Sequence, residues 1–402
     1  MTRRQASESF NLVRAEYADN SMNRGLETGA ITEDDIALIR EFVAELQATA
    51  GIGVPRINKL VFHLVGWRRF IGPYRTNTIT DLYRAIPVIK TASNARGKPF
   101  KQNTIVDYIK ILKQFYTWLI EREYSGIPKD RLSKLRAPPR DEMTKTASDL
   151  LTYDEVLDMA RSCWREMDRA LIMTLYEGGF RIGEIGKMTW GNLKFDDQGV
   201  VVNTDFKTGK PRYIRLILAA GHLAKWRGCY PGSPEGTAPV FITVNGPLSH
   251  AAVTKQLRRV AERAGIKRHI TPHIFRHSRI THMIQKGISE SVIKKMMWGT
   301  IDSRMFRTYV HLTGKDIDQE LQRVYGLAPK DTESAMKKAM EPRVCPSCQT
   351  INSPVTNYCG TCGHELSEQA VRDLESALRR IQQNPDFRFI REMADKGRNL
   401  SS

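Results

Sequence analysis

The sequence predicts a mainly α protein with a small β-sheet, an α+β chain built from a helical domain, a mixed domain and a small metal-stabilised module. Three observations predict it. Apolar residues recur at helical spacing, most clearly over Asn103–Glu123. Two short apolar runs, Val200–Asn203 and Tyr213–Ile217, flank a Lys-Thr-Gly-Lys-Pro turn and read as strands. Four of the six cysteines stand in two Cys-x2-Cys pairs near the C-terminus.

Length and charge set the frame. A chain of 402 residues suggests two or three domains. The formal net charge is +18, and residues 51–145 alone hold 19 Lys+Arg against 7 Asp+Glu, a local 19 − 7 = +12. So uneven a charge points to a polyanionic partner. No apolar run approaches the ~20 residues of a membrane-spanning helix, and the first residues lack the apolar core of a signal peptide. Double-stranded DNA, met in the cytoplasm and associated with the nucleoid, is therefore the expected partner, and no membrane is.

Taken in order, residues 1–45 read as a polar, partly helical extension. It contains a helix at Ile31–Leu46, capped by Thr32 and Asp35. Residues 46–140 read as a helical, DNA-binding domain. Its segment Asn103–Glu123 turns Ile105, Tyr108, Ile109, Leu112, Phe115, Tyr116 and Leu119 to one face, leaving Lys110 and Lys113 mostly off that stripe as candidate DNA contacts. Lys134–Ser148 is Pro-rich and aperiodic, as a linker is. A further domain, 149–327, opens where Thr152 and Glu155 form another capping box.

The chemistry-bearing residues lie in that domain. Phosphoryl transfer on DNA needs a nucleophile, cations for the non-bridging oxygens and an acid for the leaving alkoxide. Arg181 follows a Gly-Gly pair. His273 and Arg276 stand three apart on a helix that opens with Thr271-Pro272, near N–H groups that favour phosphate. Arginine suits the task because its planar fork holds two phosphate oxygens at once. Lys207 sits at the hairpin turn, and Tyr309 supplies a phenol.

The runs Gly178-Gly-Phe-Arg-Ile-Gly-Glu184, Lys207-Thr-Gly-Lys-Pro-Arg212, His273-Ile-Phe-Arg-His-Ser278 and Tyr309-Val-His311, in this order, resemble the tyrosine recombinases, most closely the archaeal phage-type integrases. The resemblance covers residues 30–327 and is most specific over 151–312. It implies a helical core-binding domain and a catalytic domain that clamp the duplex. It also implies site-specific strand exchange through a 3′-phosphotyrosyl bond, without ATP or a catalytic cofactor, in a homo-oligomer that is tetrameric at synapsis. By the same resemblance Arg181 and Arg276 bind the scissile phosphate, Lys207 protonates the 5′-oxygen, His273 assists and Tyr309 attacks, with Glu184 in support. Many members carry a Gly-His pair nine residues before the tyrosine. Here that position is Thr300, so Trp298 takes the phosphate-packing role, with His311 as the other candidate. A type IB topoisomerase and a catalytically inactive DNA-binding regulator are the competing readings.

Cys345, Cys348, Cys359 and Cys362 form two knuckles ten residues apart, the spacing of a closed tetrahedral site. Residues 340–366 thus read as a zinc-ribbon-like module holding a structural Zn²⁺, followed at 367–402 by an amphipathic helix that suggests self-association. Cys163 and Cys229 are isolated and read as packing residues.

Overall fold

The computed structural model describes residues 10, 13–94, 96–141, 147–204, 212–243, 246–303, 306 and 341–384. It divides into two compact units: Leu12–Thr144, and Met1–Asn11 with Lys145–Ser402.

The first unit is helical: α1 (Glu16–Glu27), α2 (Glu33–Ala50), α3 (Val54–Trp67), α4 (Ile79–Thr91), α5 (Gln102–Glu121) and the short α6 (Lys129–Ser133). From residue 13 on, the extension expected at 1–45 packs with the helices that follow it. Ala18 and Met22 of α1, and Ile36, Leu38, Ile39 and Phe42 of α2, share one core with Leu60, Leu64 and Trp67 of α3 and Ile105, Leu112, Phe115 and Leu119 of α5. Helix α1 escapes a reading of the sequence because it buries only Ala18, Met22 and Gly25. Thr32 and Asp35 form the expected capping box on α2. Asp35 does more than cap. Its carboxylate is fully buried and also accepts from Arg68 Nε at 2.7 Å and the Tyr74 N–H at 2.9 Å. Burial alone would raise its pKa, but the Tyr74 and Thr32 N–H groups and the Arg68 guanidinium hold it below the usual carboxylate value.

The second unit opens with α7 (Tyr153–Arg161), α8 (Glu166–Gly178) and α9 (Ile182–Lys187). A three-stranded antiparallel sheet follows in the order β1 (Leu193–Asp196), β2 (Gly199–Thr204), β3 (Arg212–Leu216). Strand β1 was not foreseen; Leu-Lys-Phe-Asp is too short to show an alternation. The next elements are α10 (Ala220–Gly228), the two-residue strands β4 (Ile242–Thr243) and β5 (Gly246–Pro247), α11 (His250–Arg263), α12 (Pro272–Gln285) and α13 (Glu290–Trp298). Helix α8 is buried almost throughout and forms the middle of the core, with Phe180, Val200, Ile214, Leu223 and Phe275 around it. Glu177, at its end, is buried and accepts from the N–H groups of Ile217, Leu218 and Ala219 at 2.8, 3.0 and 2.8 Å, supplying the cap that α10 lacks in its own sequence. Cys163 is buried as expected, whereas Cys229 is exposed just past α10.

Strands β6 (Arg343–Val344) and β7 (Ile351–Asn352) pair within the cysteine module, and α14 (Glu368–Gln383) follows. The fold is thus mostly helical with small sheets, as the sequence predicts.

Candidate active site

The site is assembled where the α8–α9 turn, the first residue of β3, helix α12 and the end of α13 meet. Gly178 and Gly179 make the turn possible. A Cβ on Gly178 would lie 2.1 Å from the Phe180 ring, and Gly179 has φ 53° with Met297 Sδ 2.8 Å from where its Cβ would stand. Arg181 then caps α9, and its N–H donates to Glu184 Oε2 at 2.6 Å while its Nη1 reaches Glu184 Oε1 at 3.2 Å.

Arg276 projects from α12 and is buried. Its Nη1 donates to the Gly179 carbonyl at 2.6 Å and its Nη2 to the Met297 carbonyl at 2.6 Å. Its guanidinium carbon lies 5.3 Å from the Trp298 ring centroid, cation-π contact distance. Gly299, with φ 74°, ends α13 in a left-handed cap. The Met296 and Met297 carbonyls are therefore among the last four of that helix, which find no donor within it.

A residue that sequence reasoning missed completes the frame. Arg212, buried at the start of β3, donates through Nη1 to the carbonyls of Met296 (2.9 Å) and Met297 (3.0 Å) and through Nη2 to Glu184 Oε2 (2.5 Å). Burial lowers its pKa and Arg181 adds to that, while Glu184 opposes both. A ring of hydrogen bonds results. Arg181 is joined to Glu184, Glu184 to Arg212, Arg212 through the Met297 carbonyl to Arg276, and Arg276 back to Gly179, two residues before Arg181. Three cations coexist because Glu184 and the negative end of α13 face them. A signal for Arg212 existed in the sequence: it is in phase with the inward-facing Ile214 and Leu216.

The other expected site residues fall as follows. His273 is exposed in the first turn of α12, three residues before Arg276 and on the same side. Thr300 is engaged with Asp302, its Oγ1 donating at 3.2 Å and accepting the Asp302 N–H at 3.3 Å, so among the described residues Trp298 is the one set against Arg276. Lys207, Tyr309 and His311 lie outside the described residues. In the helical unit Lys110 is exposed, but Lys113 Nζ donates to the carbonyls of Ser133 (2.8 Å) and Leu135 (3.1 Å), closing the end of α6. A DNA contact from Lys113 would have to break that tether.

Behind the arginines, on the next turns of α12, His282 is buried with its Nδ1 2.8 Å from the Tyr176 hydroxyl and its ring stacked on Tyr153 at 4.0 Å. Burial, with Arg279 and Lys286 nearby, brings its pKa down to about 4.

In the cysteine module, the sulfurs of Cys345, Cys348, Cys359 and Cys362 lie within 4.8 Å of one another, with Cys345–Cys362 and Cys348–Cys359 both at 3.5 Å. Four metal–sulfur bonds of ~2.3 Å in a tetrahedron set sulfur–sulfur edges of about 3.8 Å, so the cage has the size to hold a metal ion. The Thr361 N–H and the Asn352 amide also point at Cys359 Sγ, at 3.5 and 3.6 Å, as donors that stabilise a thiolate.

Comparison with known proteins bears on the fold and the relatives of the chain. Residues 149–315 match the model of the phage integrase family. Tyrosine recombinase XerC of Xylella fastidiosa (strain M23) is 25% identical over 301 residues, 72% of this chain and 96% of that protein. Transposase A from transposon Tn554 of Staphylococcus aureus (strain N315) is 26% identical over 314 residues, 72% of this chain and 83% of that protein. Among solved structures, the lambda integrase bound to DNA shares the fold with a TM-score of 0.53 at 15% identity, covering 70% of this chain and 98% of that one. The Tn1549 transposon integrase in complex with a circular intermediate DNA does so with a TM-score of 0.54 at 16% identity, covering 71% and 99%. Residues 149–315 thus match a phage integrase domain, a helical unit precedes them, and the chain aligns with nearly the full length of XerC.

Proposed function

We propose that this site-specific recombinase cuts and rejoins duplex DNA through a 3′-phosphotyrosyl bond to Tyr309. The observation that carries the reading is the shared frame of Arg181, Arg212 and Arg276, which holds two forked cations beside an exposed imidazole. In the reaction the Tyr309 oxygen attacks the scissile phosphorus, and the bond from phosphorus to the 5′-oxygen breaks. Lys207 gives that oxygen its proton. The guanidinium groups of Arg181 and Arg276 take up the charge on the non-bridging oxygens, His273 assists proton transfer, and Trp298 packs beside the phosphate. A 5′-hydroxyl from another strand then attacks the phosphotyrosine and releases the phenol. One phosphoester replaces another at each step, so no ATP is consumed and no catalytic cofactor is needed.

Arg84, Lys90, Arg96, Lys98, Lys101 and Lys110, all exposed on the helical unit, would neutralise backbone phosphates. The working assembly is a homo-oligomer, tetrameric when two sites are paired. Among the described residues no helix is long and apolar enough to cross a membrane, which accords with action on cytoplasmic, nucleoid-associated DNA. For the four-cysteine cage we propose Zn²⁺, the ion that closed thiolate tetrahedra commonly select.

The test is a nicked substrate that traps the covalent complex. The wild-type chain forms a denaturation-resistant adduct and Tyr309→Phe does not, while its DNA affinity stays unchanged. Lys207→Ala slows cleavage but is rescued by a 5′-thiolate leaving group, which needs no proton. An adduct that persists in Tyr309→Phe assigns the nucleophile elsewhere.

A further inference from the structure

Helix α14 leaves its apolar stripe uncovered. Of its sixteen residues only Ala370 is buried. Val371, Leu374, Leu378 and Ile381 are 45%, 39%, 48% and 40% exposed. Their spacing of three, four and three residues is that of two helices seamed along their length. The first turn is fixed to the cysteine module: Ser367 Oγ accepts the Ala370 N–H at 3.1 Å and donates to Asn357 at 2.9 Å, and the Tyr358 hydroxyl donates to the Ala370 carbonyl at 3.2 Å. Beyond that turn, among the described residues, about 20 Å of helix has no support except pairs along its own surface, such as Glu368–Arg372 at 3.6 Å. A lone helix of this length is marginal in water, and most helical stability comes from packing an apolar face. The stripe therefore calls for a cover.

Charge indicates which cover. The first half of α14 carries Glu368, Asp373 and Glu375 against Arg372, a net 1 − 3 = −2; the second half carries Arg379 and Arg380, a net +2. The helix is neutral overall, unlike the cationic helices that lie on anionic lipid. A second α14 laid alongside in the same direction would set acid against acid and base against base. Laid antiparallel, the same helix meets its opposite charge in both halves.

We propose that α14 is a self-association element in which two copies of the chain pair their helices antiparallel. Leu374 packs against the partner's Leu378 and Val371 against the partner's Ile381. Four apolar side chains per helix make a short seam, so the pairing is weak between free chains. It becomes effective when two chains already share one DNA, where tethering raises the local concentration to the millimolar range. The proposal rests on α14 alone and not on the recombinase chemistry.

Sedimentation of the full chain, from the micromolar to the millimolar range, tests it. The wild type shows a concentration-dependent dimer, and Leu374→Asp with Leu378→Asp weakens association at least tenfold, with helical content outside α14 and metal content unchanged. Glu368→Lys with Glu375→Lys makes both halves positive, and Arg379→Glu with Arg380→Glu makes both negative. Each of these variants associates less than the wild type, and an equimolar mixture of the two recovers. A chain that is monomeric throughout overturns the proposal, as does a dimer indifferent to the leucine pair. A dimer that tolerates either charge reversal rejects the antiparallel arrangement. Flotation with anionic phosphatidylserine vesicles, lost in the leucine variant, assigns the stripe to a membrane instead. Cleavage of a nicked half-site is read in parallel, so a defect in the chemistry is told apart from a defect in pairing.

Discussion

Glu184 and Arg212 form a buried ion pair, and the two ways of disturbing it should differ. Arg212→Met leaves the Glu184 carboxylate desolvated beside only Arg181, and breaking one side of such a pair costs roughly 3–5 kcal/mol. Replacing both, Glu184→Gln with Arg212→Met, should cost less than the sum, because no uncompensated charge remains. Urea midpoints of the three variants check this, and the cleavage rate should fall in each even at temperatures where the chain is folded. An Arg212→Met protein of wild-type stability and rate would remove Arg212 from the frame. His282 gives a pH prediction. Its folded pKa of about 4 lies below the ordinary histidine value of 6.5, so the unfolded chain binds the extra proton first. The stabilisation is fully present above pH 6.5 and is lost as pH falls from there towards 4, on the order of 3 kcal/mol in total. His282→Gln should flatten that part of the stability profile. Arg181 and the His273/Arg276 pair stood out in the sequence because each lies in a short run with its own local signal, a Gly-Gly turn and a Thr-Pro helix start. Arg212 did not, because its partners, Glu184 and the Met297 carbonyl, are 28 and 85 residues away.

At the scale of elements, the α8–α9 turn carries more of the site than its length suggests. Gly179→Ala places a Cβ at φ 53° and 2.8 Å from Met297 Sδ. The expected result is a loss of about 1–3 kcal/mol of stability, with cleavage slowed further because the Gly179 carbonyl that holds Arg276 must shift. Thermal unfolding together with single-turnover cleavage separates the two effects, and a variant with unchanged rate would show that the carbonyl has no positioning role. Helices α2, α5, α7 and α12 were readable from caps and apolar spacing, and β2 and β3 from the turn between them. Helix α1 was not. Its burial depends on Ala18, Met22 and Gly25 fitting against α3, which is a matter of shape and leaves little trace in hydropathy. The start of α10 defeats a local reading in the same way, since its cap, Glu177, belongs to another helix.

For the whole molecule, the cysteine module and the catalytic domain should come apart in experiment. A strong chelator should release about one Zn²⁺ per chain and unfold a small region around residues 341–366, since thiolate ligation provides most of the stability of a module this size. A chain ending near residue 330 should still cleave a nicked substrate while losing synapsis. Elemental analysis without zinc, or a stable truncated chain unable to cleave, would refute these two expectations respectively. The helical unit and the four-cysteine cluster were visible in composition, as a basic block and paired cysteines. The edge of the first unit was not, because a polar helix and a polar extension look alike until a core is there to receive one of them.

Both buried guanidinium groups of α12 and β3 are gripped by peptide carbonyls at the end of α13. Side chains at positions 296 and 297 can therefore change without altering the acceptors themselves. The latitude ends at Gly299, whose left-handed backbone closes the helix. Were α13 to wind one turn further, its own N–H groups would reclaim those carbonyls and both cations would lose their hold. The geometry of the arginine frame is encoded in the place where a helix stops.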